Sequence, residues 1–132
     1  MVEGIVVVTG ASGYIGSHIV ANLLKRGREV RATVRDASDP ERVDHLRALD
    51  ISYQGSLEIV EMDLFDTASV DAAIKGCSDV IHTAASVIIR ASNPQKKIVD
   101  PSVIGTQNIV DSIERAGSVK RFIHTSSTAA IR

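Results

Sequence analysis

The chain has one cysteine in 132 residues, Cys77, so no internal disulfide can form and a reducing cytoplasm is the default expectation. Without a partner, Cys77 reads as a small buried hydrophobe. Neither charge is in excess: 15 Lys and Arg stand against 16 Asp and Glu. That balance lacks the broad basic field that nucleic acid or an anionic membrane would need, so neither is expected as a partner. No apolar run approaches the roughly 20 residues that span a bilayer. No cleavable signal is expected ahead of the first apolar segment, and residues 1–132 show no repeat, low-complexity tract or linker. One globular domain with a real core is what this length allows.

What the chain does have is a regular alternation of short β-rich runs and helical patterns. Residues 5–9 form a continuous β-branched run, as expected for a strand covered on both faces. From Tyr14 the spacing changes to Ile15, Ile19, Val20, Leu23 and Leu24, a helix with Lys25 and Arg26 in its last turn and Gly27 to close it. A second strand covers 30–34. "SDPE" at 38–41 then predicts a helix start with Ser38 as cap, an early proline and Glu41 three residues on. Val43, Leu46 and Leu49 form its apolar stripe. A third strand covers 57–62, and Asp66 or Thr67 caps a short helix through Ile74 that Gly76 ends. A fourth strand covers 80–83. The next helix ends at Ala116–Gly117 with Ile104, Ile109, Val110 and Ile113 inward; Asp100–Pro101 is either its cap or a kink in a helix begun earlier. A fifth strand covers 121–125. Crossovers longer than a dozen residues imply parallel pairing with helices on both faces. The predicted fold is α/β, a doubly wound parallel sheet of Rossmann type with strand order 3-2-1-4-5. Its ligand crevice falls between strands 1 and 4.

Between the first strand and its helix lie Gly10, Gly13 and Gly16, spaced G-x-x-G-x-x-G. Gly10 permits a tight turn, Gly13 lets backbone approach a pyrophosphate, and Gly16 brings the helix close to the sheet. Free N–H groups and the positive helix end then face the phosphates, and Ser12 adds a hydroxyl donor. The segment "TGASGYIG" (9–16) resembles the signature of the extended short-chain dehydrogenase/reductase family, which includes nucleotide-sugar epimerases, 3β-hydroxysteroid dehydrogenases and the dihydroflavonol and cinnamoyl-CoA reductases. "VRATVRD" (30–36), "DL" (63–64), "VIHTAA" (80–85), "DPSVIGTQNIV" (100–110) and "VKRFIHTSS" (119–127) are most similar to the reductase branch. The resemblance spans the whole chain and implies cofactor contacts at Gly10, Ser12, Gly13, Tyr14, Ile15 and Gly16.

Coenzyme choice turns on the end of strand 2, where an acid would bind a ribose 2′-hydroxyl and an arginine a 2′-phosphate. Arg35 and Asp36 stand there side by side. Val30, Ala32 and Val34 share one face, so Arg35 is the first residue past the strand. The resemblance implies that Arg35 and a basic residue seven places on, Arg42, hold the phosphate, which favours NADP over NAD. It also implies that Asp63 accepts from the adenine amine while Leu64 packs on the ring, and that Thr83, Ala84 and Ala85 let backbone lie against the nicotinamide ribose. His82 and His124 are read as core histidines with local hydrogen bonds.

Relatives of this kind use a hydroxyl residue after strand 5 together with Tyr-x-x-x-Lys. Ser127 matches the substrate-orienting position, with Ser126 as runner-up. Neither tyrosine, Tyr14 nor Tyr53, has a lysine four residues later. The expectation is therefore that residues 1–132 are the NAD(P)-binding, N-terminal part of a longer NADP-dependent oxidoreductase acting on a small molecule, stopping before the later strands and the substrate lobe and inactive alone. A stand-alone NADP(H)-binding regulatory or scaffold module and a nucleotide-sugar epimerase or dehydratase fragment remain alternatives. An open fifth strand would invite two copies to pair as a homodimer through that edge. No metal site is expected.

Overall fold

The computed structural model describes residues 4–84 and 95–131. The elements run β1 (Val6–Thr9), α1 (Tyr14–Lys25), β2 (Glu29–Val34), α2 (Pro40–Ser52), β3 (Ser56–Glu61), α3 (Thr67–Ile74), β4 (Asp79–His82), a wide helical turn at Gln95–Val99, α4 (Asp100–Ala116), β5 (Arg121–His124) and a short 3-10 turn at Thr128–Ile131. All pairings are parallel and the order is β3-β2-β1-β4-β5. Every strand predicted from sequence is present within a residue or so at each end.

The strand β1 is apolar throughout because it meets two cores. Val6 and Val8 face one layer with Val20 and Leu24 of α1 and Val43 and Leu46 of α2. Val7 faces the other, with Val70 and Ile74 of α3 and Ile109 of α4. Alternate residues of a strand point to opposite faces, so a central parallel strand must be apolar at both parities. Cys77 sits in the second core, fully buried, and burial pushes its thiol up to about 11. At the opposite end of the sheet from the glycine turn, the Asp79 carboxylate takes hydrogen bonds from Arg28 and Arg121, both at 3.1 Å, joining β4 to the residues that begin β2 and β5. Burial alone would raise its pKa; the two guanidiniums prevail and lower it.

Two local expectations change and two open alternatives are resolved. Helix α2 is capped by Asp39, not Ser38: Asp39 accepts the Glu41 N–H at 3.1 Å, with Pro40 as the first helical residue. Ser38 is engaged elsewhere, its hydroxyl donating to Asp36 at 2.6 Å. Asp66, rather than Thr67, caps α3. Helical geometry already holds before Asp100, so Asp100–Pro101 lies within a continuous helical path rather than opening it. Ile104 is 49% exposed, not inward. Ile109 is buried as expected, with Gly105 and Ser112 beside it, and a Cβ at Gly105 would stand 3.0 Å from Leu64 Cδ1. Gly105 thus faces Leu64 while Ile104 turns outward. β5 occupies one edge of the sheet, with Ile123 exposed. Among the described residues no helix is long and apolar enough to cross a membrane.

Candidate dinucleotide-binding site

The C-terminal ends of the parallel strands open onto a cavity of about 600 Å³, within the range of small-molecule and cofactor sites. It lies where β1 and β4 are neighbours but their following helices pack on opposite faces, the position at which an open α/β sheet leaves a crevice. The glycine turn forms its floor. Gly10 has φ of +64°, a left-handed conformation suited to glycine, and a Cβ there would lie 2.9 Å from both the Ala84 nitrogen and Thr83 Oγ1. Gly13 donates to the Gly10 carbonyl at 3.1 Å and closes the turn. A Cβ at Gly16 would collide with that same carbonyl, so only glycine lets α1 start this close to β1.

Helix α1 begins with Gly13 as its cap residue, without a side-chain cap and without an acid in the first turn. The first N–H groups of a helix have no intrahelical acceptor. Here nothing from the side chains replaces one, and the positive end of the helix points out uncompensated. Gly10, Ser12 and Gly13 line the cavity. Tyr14 and Ile15 contribute only their backbone to this helix start; their side chains are 82% and 55% exposed, and Tyr14 packs edge-on against His18. Gly16 is buried beneath the turn.

On the β2 side, Arg35 and Arg42 both line the cavity. Arg42 is braced through its Nε by Asp39 at 3.1 Å, leaving the rest of its guanidinium fork open. Arg35 makes no hydrogen bond or ion pair among the described residues. Asp36 does not line the cavity. Its Oδ1 takes the Ser38 N–H at 2.9 Å and the Ser38 hydroxyl at 2.6 Å, and these bonds, aided by Arg42, hold its pKa below the usual range. Beyond β3, Asp63 and Leu64 line the same cavity with Phe65. Asp63 Oδ1 accepts the Phe65 N–H at 2.9 Å, and Oδ2 has no partner among the described residues.

The β4 end is held by one hydroxyl. Thr9 Oγ1 accepts the Thr83 N–H at 3.0 Å and the Ala84 N–H at 3.1 Å. A hydroxyl has two acceptor sites and one proton. With both acceptor sites used, its proton goes to His82 Nδ1, 2.7 Å away. His82 is thereby the neutral tautomer with its proton on Nε2. Burial, assisted by the charge of His124, lowers its pKa to about 4. The reading of His82 as a core histidine holds, but its hydrogen bond is to a residue 73 positions away rather than a local one. His124 differs: it lies on the edge strand and is exposed, its ring centroid 5.5 Å from that of His82. Thr83 and Ala84 line the cavity, whereas Ala85 lies outside the described residues. After β5, Thr125 reaches the cavity and is anchored by its N–H to the His82 carbonyl at 3.0 Å; Ser126 and Ser127 are exposed beyond it.

Sequence reasoning missed Thr9, which reads only as the last residue of a strand. It also missed Pro101, Ser102 and Thr106 of α4, which line the same cavity as the glycine turn. The four-residue spacing of Ser102 and Thr106 places them on one helix face, a signal available in the sequence. Among the described residues no cluster of His, Cys, Asp or Glu could hold a metal.

The sequence model of the family described as GDP-mannose 4,6 dehydratase matches residues 7–130. Cinnamoyl-CoA reductase CAD2 of Medicago truncatula is 42% identical over 127 residues, covering 96% of this chain and 39% of the relative. Tetraketide alpha-pyrone reductase 1 of Arabidopsis thaliana is 41% identical over 130 residues, covering 98% and 40%. The chain thus spans about two fifths of the length of these curated relatives. Among solved structures, vestitone reductase from alfalfa (Medicago sativa) superposes with TM-score 0.76 at 34% identity, covering 97% of this chain and 37% of that one. Yeast methylglyoxal/isovaleraldehyde reductase Gre2, solved with NADPH, gives 0.79 at 30%, covering 96% and 38%. With strand order, glycine turn and a family match that runs from β1 to the final helical turn in agreement, this chain belongs to the NAD-dependent epimerase/dehydratase group of extended short-chain dehydrogenases/reductases.

Proposed function

We propose that this chain is the NADP(H)-binding domain of an oxidoreductase that interconverts a carbonyl and a hydroxyl on a small organic substrate. The observation that carries the reading is Arg35: a cation at the end of β2, facing the cavity, with no partner among the described residues. An unpaired guanidinium beside a second, Arg42, has the charge and fork geometry that a phosphate dianion needs. The cradle fits the rest of such a molecule. Gly10 and Gly16 let the turn pack tightly against β4 and the start of α1, a Cβ at Gly13 would meet only the Gly10 carbonyl at 3.4 Å, and the uncapped start of α1 offers N–H groups and a positive helix end to a diphosphate.

In this reading, bound NADP(H) supplies or accepts the hydride. The chain's own residues bind and orient. Ser12 and the N–H groups from Tyr14 to Gly16 hold the diphosphate. Arg35 and Arg42 hold the 2′-phosphate. Asp63 Oδ2 accepts from the adenine amine with Leu64 against the ring, and the backbone of Thr83 and Ala84 lies along the nicotinamide ribose. Ser127 orients the substrate oxygen. The reductases named above support this reading by their similarity. The description of the matching family favours a nucleotide-sugar dehydratase as the second reading. An acidic residue at the end of β2 would suit a chain that holds NAD; Arg35 there favours the reductase.

Calorimetric titration with NADPH and NADH, before and after Arg35→Ala, tests the reading. Charge-assisted hydrogen bonds are worth about 1.5–3 kcal/mol each. Arg35→Ala is therefore expected to weaken NADPH by roughly 10- to 100-fold and leave NADH nearly unchanged. An unaltered NADPH affinity refutes the phosphate site.

A further inference from the structure

The two residues after β2 point to opposite coenzymes: Arg35 suits a 2′-phosphate, Asp36 a free ribose hydroxyl. Only Arg35 lines the cavity. Asp36 is turned onto its own loop, where a single residue, Ser38, supplies both donors to Oδ1, the N–H at 2.9 Å and the hydroxyl at 2.6 Å. The Ser38 side chain has no second partner among the described residues. The helix that follows is capped by Asp39, whose two oxygens are occupied by the Glu41 N–H and by Arg42 Nε. The two acids of the loop are thus held apart in different roles. Asp39 braces an arginine that faces the cavity, while Ser38 detains the acid that would compete with it.

We propose that Ser38 is a specificity-determining residue for the coenzyme, holding the Asp36 carboxylate away from the ribose 2′ position so that the arginine pair alone meets it. The inference rests on the proposed NADP(H) site. A released Asp36 would do two things. It would set a negative charge against the 2′-phosphate, and it would offer an acceptor to the 2′- and 3′-hydroxyls of NAD(H). Both effects move selectivity in the same direction. The 2.6 Å hydroxyl bond is of the short, charge-assisted kind, so its removal by Ser38→Ala should release the carboxylate substantially even though the backbone N–H remains.

The test is the ratio of NADH to NADPH dissociation constants, measured by titration of the chain as it stands and of three variants. Ser38→Ala is expected to reduce the NADPH preference about five- to tenfold, by weakening NADPH and tightening NADH. Ser38→Thr, which keeps the hydroxyl, should retain the wild-type ratio. Ser38→Ala combined with Asp36→Asn should restore the ratio to at least the wild-type value, because the released side chain then carries no charge. A merely structural role for Ser38 would weaken both coenzymes equally, and Asp36→Asn would not rescue it. A wild type that prefers NADPH through Arg35 while Ser38→Ala leaves the ratio unchanged overturns this inference and spares the site. A wild type that binds neither coenzyme overturns both.

Discussion

Replacing Thr9 by valine preserves shape and removes one hydroxyl, and the structure assigns that hydroxyl three hydrogen bonds. It accepts from the Thr83 and Ala84 N–H groups and donates to His82 Nδ1, at 3.0, 3.1 and 2.7 Å. Thr9 and His82 are 0% and 2% exposed, so water cannot readily replace the hydroxyl at the imidazole, and the Thr83 and Ala84 N–H groups are part-buried. A buried polar group left unsatisfied costs about 1–3 kcal/mol. Taking the low end for each of the three partners, and setting aside the small apolar gain of a methyl, gives a loss of about 3 kcal/mol. Against the 5–15 kcal/mol typical of a domain this is a large fraction. With a urea m-value near 2 kcal/mol/M, the midpoint should fall by about 1.5 M at constant slope. Thr9→Ser keeps the hydroxyl and should lose less than half as much. The measurement is urea unfolding followed by far-UV circular dichroism. A Thr9→Val midpoint within about 0.3 M of wild type would refute the account of Thr9 as the hub joining β1 to β4.

Two further outcomes follow from the same end of the sheet. His82 titrates near 4 when folded against 6.5 in the free side chain, so the unfolded chain binds the proton more readily. Its contribution is complete above pH 6.5 and is lost as pH falls toward 4, amounting to about 3 kcal/mol at most. Urea stability measured from pH 7.5 to 4 should show that slope, and His82→Gln should flatten it; parallel curves would count against a buried neutral imidazole. Gly16→Ala forces a Cβ into the Gly10 carbonyl, whereas the Cβ of Gly27→Ala meets open space at φ of +75°. The first should abolish dinucleotide binding and the second should cost about 1 kcal/mol of stability with binding intact, a contrast that one calorimetric titration per variant can check.

The parts of the site that are legible in the sequence are those whose physics is local. Gly10 and Gly16 announce a turn because φ and Cβ clearance are properties of a few consecutive residues. The alternation around β1 announces a doubly covered strand for the same reason. The cap of α2 is Asp39 where the sequence pointed to Ser38, because both residue types cap helices and only the side-chain partner distinguishes them. Ile104 faces outward against expectation because helical spacing fixes which residues share a face but not which face turns inward. The packing of Leu64 against Gly105, 41 positions away in the chain, decides that.

The sequence by itself determined the element types, their order, the parallel sheet and the place of the glycine turn at the head of α1, because periodicity and steric permission act within a few residues. Tertiary structure alone decided that Thr9 sets the tautomer of a histidine 73 positions away and that α4 lines the same cavity as the glycine turn. Those outcomes depend on the register of β1 against β4 and on how side chains from distant segments fill one another's hydrogen-bonding capacity, and neither quantity is carried by any local stretch of chain.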